Sequence, residues 1–261
     1  MIPPELAALA ESPDAHTELA PGFERVLTDR YAMLLGPTPH FTSVQRLRIP
    51  DGEVESTVEE VRGHVRARGH TNAVWWIGGS TTPTDLDERL AALGFRPPGG
   101  GARHPELVAL ATATPPAPGP ADLVARAVET VEEHAIAMEL QWDAFDVPKE
   151  RRAVERLQTP ERFRDEPPIA VRFLAWVDGR PAAAALGVFA PAGCLLVAGA
   201  TAEWARGRGA YRALVRARWD EAVRRGTPGL AVAAAPTSEP ILRRLGFEEV
   251  ARLRRLEDPA T

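Results

Sequence analysis

Residues 195–219, "LLVAGATAEWARGRGAYRALVRARW", limit the fold more than any other stretch, because an apolar run passes through a glycine turn straight into an amphipathic run. That order predicts a strand feeding a helix. Gly207 and Gly209 lack a Cβ, so the backbone there bends freely and lets a bulky partner approach its N–H groups. The first N–H groups of a helix have no intrahelical acceptor, and with the positive end of the helix dipole they suit a diphosphate. Arg206, Arg208 and Arg212 are placed to add charge-assisted hydrogen bonds to phosphate oxygens. Two other phosphate-binding turns fail on sequence: there is no GxxxxGK[ST], and no GxGxxG follows a predicted strand. An ordinary tight turn is the alternative reading.

The surrounding sequence alternates strands and helices. "ADLVARAVETVEEHAIAMELQWDAF" predicts a short strand and then one or two helices, with Val131, Ala135, Met138 and Trp142 at helical spacing, and "ERRAVERLQTPERF" predicts a further helix. "AVRFLAWVDGRPAAAALGVFAPAGCLLVAGATA" predicts three strands, with Asp178-Gly179 as a hairpin signal. The helix after the glycine turn is expected to bury Leu214, Val215, Ala217, Ala222 and Val223 with its arginines elsewhere, and to end at Gly226. "GLAVAAA" reads as a buried strand, "SEPILRRLGF" as a short helix and "EEVARLRRLE" as a last strand. The fold class is mixed α/β, an α+β arrangement around a mixed sheet.

Upstream, "TATPPAPGPADL" at 112–123 is rich in prolines that lock φ and remove donors, which predicts an extended connector. The expected organisation is a domain at 1–114, a linker at 115–121 and a domain at 122–261. The first segment is a thinner echo of the second: "RYAMLLG", "SVQRLRI", "NAVWWIGG" and "ELVALAT" read as strands, "VESTVEEVRGHVRARG" and "TDLDERLAALGF" as helices. Both segments carry LxxLGF, at Leu90–Phe95 and Leu242–Phe247, where glycine takes the left-handed position after a helix and phenylalanine packs back on the last turn. The arginine-glycine turn has no counterpart in the first segment, so a repeat would be a degenerate one. Trp75 and Trp76 point to opposite faces of a strand; one is expected in this segment's core, the other against the second segment.

Charge and composition narrow the function classes. A formal net charge of −5 argues against a general nucleic-acid binder, although Arg206, Arg208, Arg212, Arg216 and Arg218 make one locally basic stretch, suited to a small anion. No apolar run approaches the roughly 20 residues of a membrane-spanning helix, and the N-terminus has no basic-then-apolar leader. The reading is a cytoplasmic protein, and the excess of arginine over lysine with abundant alanine and proline suggests a bacterial source. The single cysteine, Cys194, excludes an internal disulfide framework and reads as a small buried hydrophobe. Six scattered histidines without HxxxH or HExxH give no metal site.

The stretch 195–219 resembles motif A, [QR]xxGx[GA], of the GNAT superfamily of acetyl-CoA-dependent N-acetyltransferases; Arg206 matches its first position and Gly209 its fourth. "GLAVAAAPTSEPILRRLGFEEV" is similar to the strand and helix that follow in that family. The resemblance covers roughly 122–256 and implies a GNAT-like fold there, with a degenerate GNAT-like first half. It implies that backbone groups of Gly199, Ala200 and Thr201 line pantetheine, that the amides of Gly207, Arg208, Gly209, Ala210 and Tyr211 hold the pyrophosphate, and that Arg206, Arg208 and Arg212 lie nearby.

Departures from the family fall at chemical positions. Tyr211 stands where the consensus has Gly or Ala; its ring either points away from the phosphates or stacks on part of the cofactor. Ala235 and Leu242 occupy the places of a frequent asparagine and a frequent tyrosine acid, and leucine donates no proton. The catalytic residue is unassigned, with Glu203 as a candidate base and Ser238 as a candidate donor; a solvated acid and a helix N-cap explain them as well. For the acceptor, Glu139, Trp142 and Phe145 offer a carboxylate and aromatic walls suited to a cationic amine, while core packing accounts equally for the aromatics and a wetted face for the glutamates. His134 reads as a surface residue. The expected function is acetyl transfer from acetyl-CoA to an amine of a small molecule or peptide by direct attack, without metal, as a monomer or homodimer. The alternative is a non-catalytic acyl-CoA binder or sensor.

Overall fold

The computed structural model describes residues 1–99, 106–165 and 169–258. The chain begins with α1 (Pro4–Glu11), β1 (Glu24–Leu27), β2 (Ala32–Leu35), β3 (Thr42–Gln45), α2 (Val54–Ala67), β4 (Val74–Ile77), α3 (Leu86–Ala92) and β5 (Glu106–Thr112). It continues through β6 (Val124–Ala127), α4 (Val131–Ala144), α5 (Lys149–Leu157), α6 (Thr159–Asp165), β7 (Ala170–Val177), β8 (Arg180–Ala190) and β9 (Gly193–Thr201). The last elements are α7 (Ala210–Arg224), β10 (Leu230–Ala234), α8 (Glu239–Arg244) and β11 (Glu248–Glu257). The result is a mixed α/β fold. Helix α1 and strand β1 were not anticipated; α1 carries Pro4 at its first position, where a missing N–H costs nothing, and buries Leu6, Leu9 and Ala10. No described helix is long and apolar enough to cross a membrane.

Contacts divide the chain into two compact units. One comprises residues 7–110, 233–239 and those from 249 on, with strands in the order β1-β2-β3-β4-β11-β5. Strands β3 and β4 run parallel, and β11 lies antiparallel to β4 with Arg254 opposite Ile77 and Leu256 opposite Trp75. Val54, Val58, Val61 and Val65 recur at helical spacing along α2 and bury one stripe against Trp75, Phe95 and Leu256. Trp75 meets Phe95 edge to face at 5.6 Å, whereas Trp76 lies under the Arg255 guanidinium at 5.3 Å. Asp258, just after β11, is held to α2: its carboxylate accepts from Arg62 Nε at 2.8 Å and Nη2 at 2.9 Å.

The other unit comprises residues 1–6, 111–232 and 240–248, with strands in the order β10-β9-β8-β7-β6. Asp178 and Gly179 both have positive φ, 52° and 74°, which gives the tight hairpin its right-handed twist. Ala137 of α4 packs with Leu174 and Ala184 on one face of this sheet. Helix α7 covers the opposite face, where Arg218 lies beside Gly187 and Cys194. Here the expected helix face needs correction: Arg218 is buried at 1% exposure while Val223 is 49% exposed, because the guanidinium donates to Leu214 O of its own helix and to Leu186 O of β8. The proline-rich segment runs along α7. Pro116 accepts a hydrogen bond from Arg216 at 3.2 Å, and a Cβ on Gly119 would lie 2.7 Å from that of Ala213.

Both LxxLGF segments end helices as their chemistry requires. Gly94 and Gly246 have φ of 91° and 89°. Phe95 N–H donates to Leu90 O at 3.0 Å and Phe247 N–H to Leu242 O at 3.2 Å, so each helix closes with the same six-residue bond and a buried phenylalanine.

Candidate functional site

Strands β9 and β10 start as a parallel pair and then part. Among the described residues their register comprises Cys194 with Leu230 and Ala231 with Leu195, so β9 from Leu196 onward has no partner in β10. The other edge of β9 is paired to β8, with an irregularity: Leu186 faces Val197 and Ala184 faces Ala200, which leaves Ala198 and Gly199 opposite the single residue Ala185. This is a β-bulge, and it takes backbone groups out of the ladder. Ala198 has φ of 49°, unusual for a residue with a Cβ. Its carbonyl accepts from Gln141 Nε2 at 2.7 Å, and Gln141 Oε1 accepts from Arg172 Nη1 at 2.5 Å. Sequence reasoning missed both residues. A signal existed, because Gln141 falls three residues after Met138 and beside Trp142, at the border of the apolar stripe of α4.

At the far end of β9 the chain enters the glycine turn. Gly207 and Gly209 have φ of 77° and 88°, so both positions demand glycine, and Gly209 is the residue before the first helical turn of α7. Among the described residues the amides of Gly207, Gly209, Ala210 and Tyr211 have no backbone acceptor, whereas the Arg208 amide donates to Ala205 O at 3.3 Å. The arginines separate into two groups. Arg208 is held by Asp178 at 2.8 Å, Arg216 by Asp220 at 2.8 Å, and Arg218 is spent on Leu214 O and Leu186 O. Among the described residues Arg206 is exposed without a carboxylate partner and Arg212 Nε is buried without an acceptor; Arg218 Nη2 also lacks one, but it lies buried beside Tyr211 and Cys194. Of the basic stretch, Arg206 and Arg212 therefore remain for an anion. Gly209 is also closely approached: a Cβ there would lie 2.7 Å from Pro120.

Tyr211 points away from the turn and under the sheet. A Cβ on Gly199 would lie 2.8 Å from Tyr211 Cε2, so the large residue at 211 is matched by a missing side chain at 199. The Tyr211 hydroxyl lies beside the Arg218 guanidinium; burial raises its pKa and the nearby positive charge opposes that shift. Cys194 shares this interior, and burial pushes its thiol up to about 12, so it stays protonated and unreactive.

The other candidates are spread more widely. Glu203 is exposed in a single 3-10 turn after β9, and its carbonyl accepts from Arg206 N–H. Ser238 donates its hydroxyl to Ala235 O at 3.1 Å in the turn before α8. On the expected acceptor helices three carboxylates are held by arginines. Glu139 is bound by Arg156 at 2.5 and 2.8 Å, Asp143 by Arg152, and Glu133 by Arg126, whose hydrogen bonds hold the Glu133 carboxyl below the usual carboxylate range. Trp142 is core, donating Nε1–H to the buried Glu155 at 2.7 Å, while Phe145 is 38% exposed. His134 is buried rather than on the surface, at 1% exposure with its ring edge-on to Phe163, and burial first, then Arg172 and Arg162, bring its pKa down to about 4. Among the described residues no cluster of three His, Cys, Asp or Glu side chains is arranged to hold a metal.

No family model matches the sequence, and no curated protein matches it. Solved structures of GCN5-related N-acetyltransferases share its fold. One from Kribbella flavida is 19% identical and superposes over 97% of this chain and 95% of its own with a TM-score of 0.71. A tandem GNAT protein from the clavulanic acid biosynthesis pathway is 17% identical over 99% of this chain and 89% of its own, at a TM-score of 0.60. A third, from Sphaerobacter thermophilus, is 18% identical over 89% and 81%, at 0.58.

Proposed function

We propose that the protein transfers acetyl from acetyl-CoA to the amine of a small molecule or peptide by direct attack. The observation that carries this reading is the parting of β9 from β10 above a glycine turn where, among the described residues, the amides of Gly207, Gly209, Ala210 and Tyr211 have no backbone acceptor and Arg212 Nε has none at all. A groove with a free strand edge along its wall and unpaired donors at its end suits a long, thin ligand terminating in a diphosphate. The amides of Gly207, Gly209, Ala210 and Tyr211, with Arg206 and Arg212, hold the diphosphate; the edge of β9 at Gly199, Ala200 and Thr201 lines pantetheine. Acetyl-CoA, when bound, supplies a thioester carbonyl. The chain contributes mainly alignment, worth up to about 7–11 kcal/mol when a bimolecular step becomes effectively unimolecular. The attacking amine must be neutral, and water or Glu203 takes its proton.

Two measurements test the reading. Calorimetry with CoA should give micromolar binding, and thiol release from acetyl-CoA should appear with at least one member of an amine panel. Binding without release would leave an acyl-CoA binder, the reading that fully buried Leu242 favours by offering no acid to the leaving thiolate. No binding at all would remove the site.

A further inference from the structure

The groove is shaped by a strained peptide with its own support, and this support is the feature that the proposed activity leaves unused. Ala198 holds a left-handed backbone inside a strand, a conformation that persists only where the surroundings impose it. Gln141 imposes it from α4, buried at 6% exposure with both ends of its amide engaged. Arginine only donates, so Arg172 fixes the oxygen end of the Gln141 amide toward itself and leaves the nitrogen end for Ala198 O. A carbonyl and the N–H that follows it point in opposite directions across one planar peptide. Holding Ala198 O toward α4 therefore turns the Gly199 N–H away from α4, at the bulge where 198 and 199 leave the β8–β9 ladder.

We propose that Gln141 and Arg172 are positioning residues for acetyl transfer: together they fix the 198–199 peptide so that the Gly199 N–H is already aligned on the thioester carbonyl oxygen. The proposal rests on the acetyl-transfer reading above. A donor aimed in advance at an oxygen that gains negative charge accelerates acyl transfer without strengthening ground-state binding. Its misalignment should appear in kcat and spare KM.

The test compares wild type with Gln141→Ala and Gln141→Glu. The second keeps the size and the bond to Arg172 but cannot donate to Ala198 O, so it separates the clamp from packing. Both are expected to lose about 10- to 100-fold in kcat for thiol release, short of the full loss of an oxyanion donor, with KM for acetyl-CoA and the calorimetric affinity for CoA within about threefold of wild type. The Gly199 amide resonance should move in both. Arg172→Met, which frees the Gln141 amide to flip, should fall between them and wild type. An active wild type with unchanged kcat in Gln141→Glu overturns the clamp and leaves the enzyme. A wild type that binds CoA but acetylates no amine overturns both, and the Gly199 resonance then shows only whether Gln141 holds the peptide.

Discussion

Gly199 and Tyr211 are best understood as one choice. The ring of Tyr211 occupies the space that a side chain at 199 would need, at 2.8 Å from the would-be Cβ. Gly199→Ala should therefore destabilise the protein by about 1–3 kcal/mol through overpacking. In a Tyr211→Ala background most of that cost should vanish, and a double-mutant cycle by urea unfolding measures the coupling; additive effects would mean the two residues do not share this space. His134 gives a second test at this scale. Its imidazole has a pKa near 4 against 6.5 when unhindered, so between those values the unfolded chain takes up a proton that the folded chain refuses. Stability from this group falls as pH drops from 6.5 to 4 and is level above. Asp14 works the other way: burial raises its carboxyl from 3.8 to about 6, so the folded chain keeps a proton the unfolded chain has lost, and stability falls as pH rises through that window. In His134→Phe this contribution is removed, while those of Asp14 and of the similarly lowered His16 and His70 remain in both proteins. Relative to wild type the variant should gain up to about 1.4 kcal/mol per pH unit on acidification below 6.5, and parallel profiles would refute the assignment.

At the scale of elements, glycines that end a helix differ from the one that starts α7. Gly246 has φ of 89° but open space around a would-be Cβ, so Gly246→Ala should cost only the left-handed backbone, about 1–2 kcal/mol. Gly209 has nearly the same φ, 88°, and in addition Pro120 at 2.7 Å. Gly209→Ala should therefore be the more damaging of the two by thermal unfolding, and it alone should weaken CoA binding. Equal losses would show that Pro116–Pro120 does not bear on the start of α7. The arginines of α7 follow the same logic: a side chain's role depends on whether Asp178, Asp220 or a carbonyl under the sheet claims it first.

For the whole molecule, the distribution of the chain between its two units matters most. Strand β11 is the last strand in the described chain yet pairs with β4, and Asp258 closes on Arg62 across 196 residues of chain. Both groups are removed from water, with side-chain exposures of 0% and 13%. Asp258→Asn leaves Arg62 with only its more exposed partner Glu59, at 2.7 Å, which should cost about 1–3 kcal/mol. Because the bond ties the last strand to α2, the loss should appear as early unfolding of the unit built on β1–β5 and β11, followed by hydrogen exchange of the α2 amides. Unchanged exchange there would place the stabilisation elsewhere.

What the sequence determined by itself was local. The strand–glycine turn–helix of 195–224, the Asp178-Gly179 hairpin and both LxxLGF helix ends were legible because their causes lie within a few residues: missing Cβ atoms, left-handed φ and apolar spacing. Helix α1 escaped because eight residues with three buried apolar side chains give too short a pattern to distinguish from a loop. The bulge at Ala198, the burial of Arg218 and His134, and the arginine partners of Glu139 and Asp143 were decided by tertiary structure alone. Each depends on a group far along the chain that is brought within hydrogen-bonding distance. A polar side chain has no fate of its own until the fold sets which carbonyl, carboxylate or patch of water it meets.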